Sequence, residues 1–87
     1  MMHYRRVMAT GCDPRGRITR LCNFSTGWVL VTATQAIREI ETGRCQYYIQ
    51  DDCGSSDLIV TRDREGCQLQ VDPAGASRIT LVNLLNC

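Results

Sequence analysis

The chain has no lysine, and all ten of its basic residues are arginines. Its net charge at neutral pH is nevertheless only +1. Strong general binding to nucleic acid or to acidic membranes usually requires a clear excess of positive charge, so the composition argues against both. Two interpretations of the arginines stay open. The simpler one is a genomic base composition that favours arginine codons; the other is that some arginines bind phosphate or carboxylate groups through the planar guanidinium.

Long apolar runs are also missing. The longest, Trp28 to Val31, is far too short to span a membrane, and no apolar segment of the secretory type follows the first residues. We therefore expect a cytoplasmic protein that is not bound to membranes. The length of 87 residues suits one domain, residues 1–87, and is too short for two.

Catalytic motifs are absent as well. The chain has one histidine, His3, and no phosphate-binding loop, dinucleotide-binding fingerprint or zinc-protease motif. A Cys–His pair would need His3, close to the first residue, as its base. The neighbouring acids Asp51 and Asp52 are typical of a solvated turn. We expect no enzymatic activity and no cofactor.

Six cysteines stand at positions 12, 22, 45, 53, 67 and 87, without a CxxC pair that would indicate a zinc site. An even number in a short chain is compatible with a disulfide framework. Because no secretory signal is evident, we favour reduced thiols that pack as small apolar residues. Cys53, in the polar stretch 51–56, is expected to be the most exposed.

One helix is clearly indicated. Thr32 and Gln35 have the spacing of a capping box at a helix N-terminus. Behind them, an apolar stripe recurs at helical spacing and comprises Ala33, Ala36, Ile37 and Ile40. Gly43 stands where a left-handed C-terminal cap is needed. The sequence predicts a helix over about residues 33–42.

Strand patterns surround this helix. A type I turn at Asp13-Pro14-Arg15-Gly16 predicts a β-hairpin. Ser25-Thr26-Gly27 is a second turn, before a short apolar run. A strand over 45–50 and a hairpin joined at 63–66 follow the helix. We expect an α+β fold, with one short helix packed on a small, mostly antiparallel sheet of five or six strands.

Arginines and aromatic residues could share one surface. Four arginines near the first hairpin and three aromatic residues form this candidate binding surface: Arg5, Arg6, Arg17, Arg20, Trp28, Tyr47 and Tyr48. Such residues can stack on bases and contact phosphates. Alternatively, Trp28 and Tyr47 belong to the core, and the arginines keep a hairpin solvated.

Over roughly residues 6–86, and first at Trp28 to Tyr48, the chain resembles a small bacterial family of unknown function. The shared pattern is a tryptophan, then Ala36-Ile37, Ile40-Glu41-Thr42-Gly43 and Tyr47-Tyr48-Ile49, followed by a closing Asn83-Leu84-Leu85. The chain lacks the proline with which this family usually closes, which is compatible with a divergent, phage-borne relative. The resemblance implies the fold and an intracellular setting, but no reaction.

These observations favour a small non-enzymatic interaction module that acts by protein–protein contact or self-association. The alternative is a module that binds a nucleotide or another phosphate-bearing molecule through arginine and tyrosine residues. Either activity would suit a phage factor that antagonises a host defence.

Overall fold

The computed structural model describes residues 3–23, 28–64, 66–81 and 84–87. These residues form one helix and eight strands in two four-stranded sheets. In chain order the elements are β1 (His3–Arg6), β2 (Ala9–Cys12), β3 (Ile18–Cys22), β4 (Leu30–Thr32), α1 (Ala33–Glu41), β5 (Cys45–Asp51), β6 (Gly54–Asp63), β7 (Gly66–Val71) and β8 (Leu85–Asn86). The first sheet has the strand order β1-β5-β6-β7, and the second has the order β4-β3-β2-β8.

The α+β class with one short helix is confirmed, but the single sheet of five or six strands is not. Both sheets are mixed, because β1 pairs with β5 in parallel and β2 pairs with β8 in parallel. His3 is thus the first residue of a paired strand and lies opposite Cys45. Short terminal strands have no hairpin partner next to them in the chain, so local patterns do not reveal such pairings.

The first hairpin forms as predicted. The Gly16 N–H donates to the Asp13 carbonyl at 2.9 Å, and the Asp13 carboxylate accepts the N–H groups of Arg15 and Arg17. The turn predicted at residues 25–27 lies outside the described residues. Asn83, which belongs to the pattern of the bacterial family, lies outside them as well.

The helix also begins and ends as predicted. The Thr32 hydroxyl accepts the Gln35 N–H at 3.2 Å, and Gly43 adopts φ of 75° beyond the C-cap. In the predicted apolar stripe only Ala36 is fully buried. The other members are partly buried and pack against the core; they are Ala33, Ile37 and Ile40.

The core lies between the helix and the two sheets. Its largest side chains with no exposed surface are Leu21 of β3, Tyr47 and Ile49 of β5, and Leu58 of β6. Burial therefore alternates along β5, where Cys45, Tyr47 and Ile49 face the core. The loop predicted over 51–56 is shorter than expected, since Asp51 already pairs with Gly54 and Ser56 is a buried strand residue.

Cys22 and Cys87 form a disulfide, so the expectation of reduced thiols is wrong for this pair. The pairing of β8 with β2 brings Cys87 within reach of Cys22 in β3, although the two cysteines are 65 positions apart in the sequence. The other four cysteines are free thiols: Cys12, Cys45, Cys53 and Cys67. Cys53 is exposed as predicted, but so is Cys12. Among the described residues, no helix combines the length and the apolar character that crossing a bilayer requires.

Candidate interaction surface

One face of the first sheet points away from the core, and we call it the open face. In β5, Cys45, Tyr47 and Ile49 are buried, so the residues between them project to the opposite side. The strand register extends this face over β1 and β6. The open face comprises Tyr4, Arg6, Gln46, Tyr48, Asp57 and Ile59.

Three residues form a row across the middle of the open face. Arg6 lies opposite Tyr48 in the β1–β5 register, and Tyr48 lies opposite Asp57 in the β5–β6 register. The tyrosine is therefore flanked by a cation on one side and an anion on the other. Neither Arg6 nor Asp57 forms an ion pair with any described residue.

Apolar surface accompanies these charges. Tyr4 leaves 70% of its surface exposed, and Tyr48 and Ile59 are partly exposed. None of the three belongs to the core cluster or packs against it. The exposed parts of these side chains are available for contact with another molecule.

β1 is held firmly at the edge of the sheet. Its Arg6 carbonyl accepts the Asn23 side-chain amide at 2.7 Å, and the Val7 N–H donates to the Tyr48 carbonyl at 2.8 Å. Asn23 is itself buried, at 1% exposure. These hydrogen bonds hold the backbone around Arg6 in place beside Tyr48.

The other side of β5 carries a polar network around Glu39 of α1. The Tyr47 hydroxyl donates to Glu39 Oε1 at 3.0 Å, and the Cys45 thiol donates to Glu39 Oε2 at 3.0 Å. Arg5 Nη1 donates to the Tyr47 hydroxyl at 3.1 Å and lies 3.6 Å from Glu39 Oε2. This network joins the helix to β1 and β5.

The network shifts the ionisation of its members. Burial and the Glu39 carboxylate raise the pKa of Tyr47 to about 12. Burial and the hydrogen bond to Glu39 raise the pKa of the Cys45 thiol as well. For Glu39, burial acts to raise the pKa, but the hydrogen bonds from Cys45 and Tyr47 and the charge of Arg5 outweigh it and lower the pKa.

These shifts bear on the Cys–His pair that the sequence left open. His3 lies opposite Cys45 in the register, but the thiol donates to Glu39 instead of an imidazole. A nucleophilic cysteine needs a lowered pKa and access to solvent. Cys45 has a raised pKa and is 3% exposed, so its environment opposes thiolate chemistry.

Tyr47 and Trp28 are core aromatics, in agreement with the alternative interpretation of the candidate binding surface. Trp28 is partly buried and meets the Tyr47 ring edge to face, with the ring centroids 5.7 Å apart. The Arg5 guanidinium lies 5.9 Å from the centroid of the same tyrosine ring. These residues pack on one another and do not form an open stacking surface.

Arg17 and Arg20 serve other parts of the fold. Arg17 Nη2 donates to the Cys67 carbonyl at 3.3 Å and lies 3.8 Å from Asp63 Oδ1. Arg20 donates from Nε, at 3.1 Å, and from Nη2 to the main-chain oxygen of Cys87. Arg17, directly before β3, therefore binds to β7, while Arg20 holds the C-terminal segment.

The seven predicted surface residues thus separate into three groups. Only Arg6 and Tyr48 lie together on the open face. The sequence interpretation missed Asp57 as part of this face and Glu39 as the centre of the network. The alternation of Cys45-Gln46-Tyr47-Tyr48-Ile49 is the signal that could have separated Tyr48 from Tyr47.

A cleft of about 290 Å³ lies between β3 and β7, with Ile18, Leu69, Val71 and Leu81 among its lining residues. Two of its polar lining residues, Arg17 and Gln68, already form hydrogen bonds within the fold. No group of three or more His, Cys, Asp or Glu side chains in the described ranges could bind a metal ion.

No protein-family model, curated protein or solved structure matches this chain. The resemblance to a bacterial family of unknown function therefore stays a prediction.

Proposed function

We propose that this protein is a non-enzymatic interaction module that binds another protein surface through the open face of its first sheet. The observation that carries the proposal is the row of Arg6, Tyr48 and Asp57, with the exposed Tyr4 beside it. Tyrosine and arginine are enriched among the side chains that dominate protein interfaces.

The ionisation of the polar network favours this function over catalysis. Its one thiol is buried and held neutral by a carboxylate, and its tyrosine has a pKa of about 12. General acids and bases work best with a pKa near the operating pH, which neither group has. The network is better suited to holding the helix on the sheet.

The alternative function is the capture of a nucleotide or another phosphate-bearing molecule. Arg6 beside Tyr48 favours it, because a base could stack on the ring while the guanidinium contacts a phosphate. Asp57, on the other side of Tyr48, argues against it, since a carboxylate there repels phosphate groups. A protein surface that carries both charges suits the row better.

Photo-crosslinking tests the proposed function. A photoreactive phenylalanine analogue replaces Tyr4 in one variant and Thr34, an exposed residue of α1, in a control variant. In the native cells we expect a discrete protein adduct from position 4 and none from position 34. Adding Arg6→Asp should reduce the adduct at position 4 at least fivefold. The absence of any adduct from position 4 would overturn the proposal.

A thermal-shift screen against nucleotides separates the alternative. A ligand at a hundred times its dissociation constant stabilises the folded state by about 2.7 kcal/mol. We expect no such shift with nucleoside mono-, di- or triphosphates. A shift that disappears in Arg6→Ala would favour phosphate binding instead.

A further inference from the structure

We propose that the partner of the open face is a second copy of this chain, related by a two-fold axis that runs parallel to β5 above Tyr48. This inference rests on the proposed function and names the partner. Its basis is the order of charges across the row, which is positive at Arg6 and negative at Asp57.

The charge order makes the row complementary to itself. Neighbouring strands are about 4.8 Å apart, so Arg6 and Asp57 lie at roughly equal distances on either side of Tyr48. A rotation by half a turn about an axis parallel to β5 places the open face of a second copy against that of the first. The same rotation puts β1 of each copy over β6 of the other. Arg6 of each copy then meets Asp57 of the other, and the two Tyr48 rings meet near the axis.

The apolar residues obey the same symmetry. Tyr4 lies two residues before Arg6 in β1, and Ile59 lies two residues after Asp57 in β6. β1 is parallel to β5 while β6 is antiparallel to it, so both residues are displaced from the row in the same direction. The axis that pairs Arg6 with Asp57 therefore also places Tyr4 over Ile59.

The arrangement matches the way in which sheets pack face to face. Two such sheets keep their strands within about 30° of each other, at a separation of about 10 Å. An isologous two-fold contact is also the commonest symmetry of small oligomers. The contact would cover the exposed ring of Tyr4 and give Arg6 and Asp57 the ion-pair partners that they lack within the described residues.

Charge reversal provides a sharp test. In Arg6→Asp, both inter-chain pairs become two carboxylates, and in Asp57→Arg both become two guanidiniums. Each variant alone should raise the dimer dissociation constant at least tenfold, because like charges would meet twice. A mixture of the two variants should form a heterodimer, since every pair across that interface is again a cation with an anion.

The control pair reverses charges away from the open face. Arg64→Asp and Asp52→Arg change exposed turn residues. Both control variants should dimerise like the wild-type chain, alone and when mixed. Sedimentation velocity measures the dissociation constants, native mass spectrometry identifies the heterodimer, and thermal melting monitored by circular dichroism verifies that each variant folds.

Three results would overturn self-pairing: a wild-type chain that stays monomeric up to millimolar concentration, single reversals that dimerise like the wild type, or a mixture without heterodimer. The photo-crosslink keeps this outcome distinct from failure of the proposed function. If position 4 forms adducts only with a different protein, the interaction module stands and the second copy is the wrong partner. If it forms none, both ideas fail.

Discussion

The hydroxyl of Tyr47 donates to the carboxylate of Glu39 at 3.0 Å, across the boundary between the helix and the first sheet. Tyr47 has no exposed surface, and the Glu39 side chain is 15% exposed. A carboxylate that is partly withdrawn from water needs such donors, because they replace the hydration that it loses. The bond therefore couples the position of α1 to that of β5.

Removing this hydroxyl should destabilise the fold. Tyr47→Phe deletes the donor to Glu39 and the acceptor for Arg5, and leaves both charges with one partner fewer. We expect a loss of about 1–3 kcal/mol in the free energy of unfolding, measured by urea denaturation. Tyr48→Phe is the matched control, because this ring lies on the open face, and it should cost less than about 0.5 kcal/mol. Equal losses in the two variants would contradict the assigned roles.

Alkaline pH should lower the free energy of unfolding through the ionisation of Tyr47. The folded state holds the pKa of Tyr47 at about 12, above its ordinary value of 10.0. A raised pKa in the folded state contributes stability that is fully present below the ordinary pKa and is lost as the pH rises towards the folded value. We expect the free energy of unfolding to fall between pH 10 and 12. The part of this fall that Tyr47→Phe removes measures the contribution of Tyr47.

Acidic pH should also lower the free energy of unfolding, through protonation of Glu39. The pKa of Glu39 lies below its ordinary value of 4.5, so its contribution is present above that pH and is lost as the pH falls through the folded pKa. Urea denaturation at a series of pH values below 5 should therefore show declining stability, with a shallower decline in Glu39→Gln. Asp51 accounts for part of the remaining decline, because the N–H of Arg78 lowers its pKa too. An unchanged slope in Glu39→Gln would argue against the network.

The disulfide should contribute much of the stability of so small a domain. Closing a loop between residues 65 apart stabilises a protein by on the order of 4 kcal/mol through the unfolded state. We expect Cys87→Ser, or a reducing agent, to lower the melting temperature strongly, while Cys53→Ser changes little. Titration of the denatured, unreduced chain should find four thiols, as the structure contains four free cysteines. Six thiols would show that the bond is absent.

Gly75 should tolerate no side chain. A Cβ atom at this position would lie 2.6 Å from the Cα of Ser56, a buried residue of β6. The Ser56 hydroxyl also accepts the Ser77 N–H at 2.9 Å, so the backbone has little room to move. Gly75→Ala should cost about 1–3 kcal/mol by denaturation, while Ala74→Ser, at an exposed position, should be close to neutral. A neutral Gly75→Ala would mean that residues 72–77 pack more loosely than described.

The elements predicted best from the sequence are those that depend on neighbouring residues. Thr32 caps the helix through an N–H only three residues away, and Gly43 ends it because glycine adopts positive φ without a Cβ clash. The turn after Asp13 depends on hydrogen bonds within four residues. Sterics and local hydrogen bonds suffice at these positions, so their sequence signals are specific.

The candidate binding surface combines residues that the structure separates. Residue type alone groups Arg5, Tyr47 and Trp28 with Arg6 and Tyr48, because all are arginines or aromatics. In a strand, however, adjacent residues point to opposite sides, so Tyr47 enters the core while Tyr48 faces outwards. Residue type alone could not assign the face of each strand.

Only the tertiary structure decided which distant segments meet. The parallel pairing of β1 with β5 places Arg6 beside Tyr48, the pairing of β8 with β2 brings Cys87 to Cys22, and packing of α1 sets Glu39 against Tyr47. No local sequence pattern names the distant partner of a strand. Competing pairings are distinguished mainly by how much apolar surface each one buries across the whole fold. The sequence by itself determined the helix, its caps and the turn after Asp13, because those depend on atoms a few residues apart.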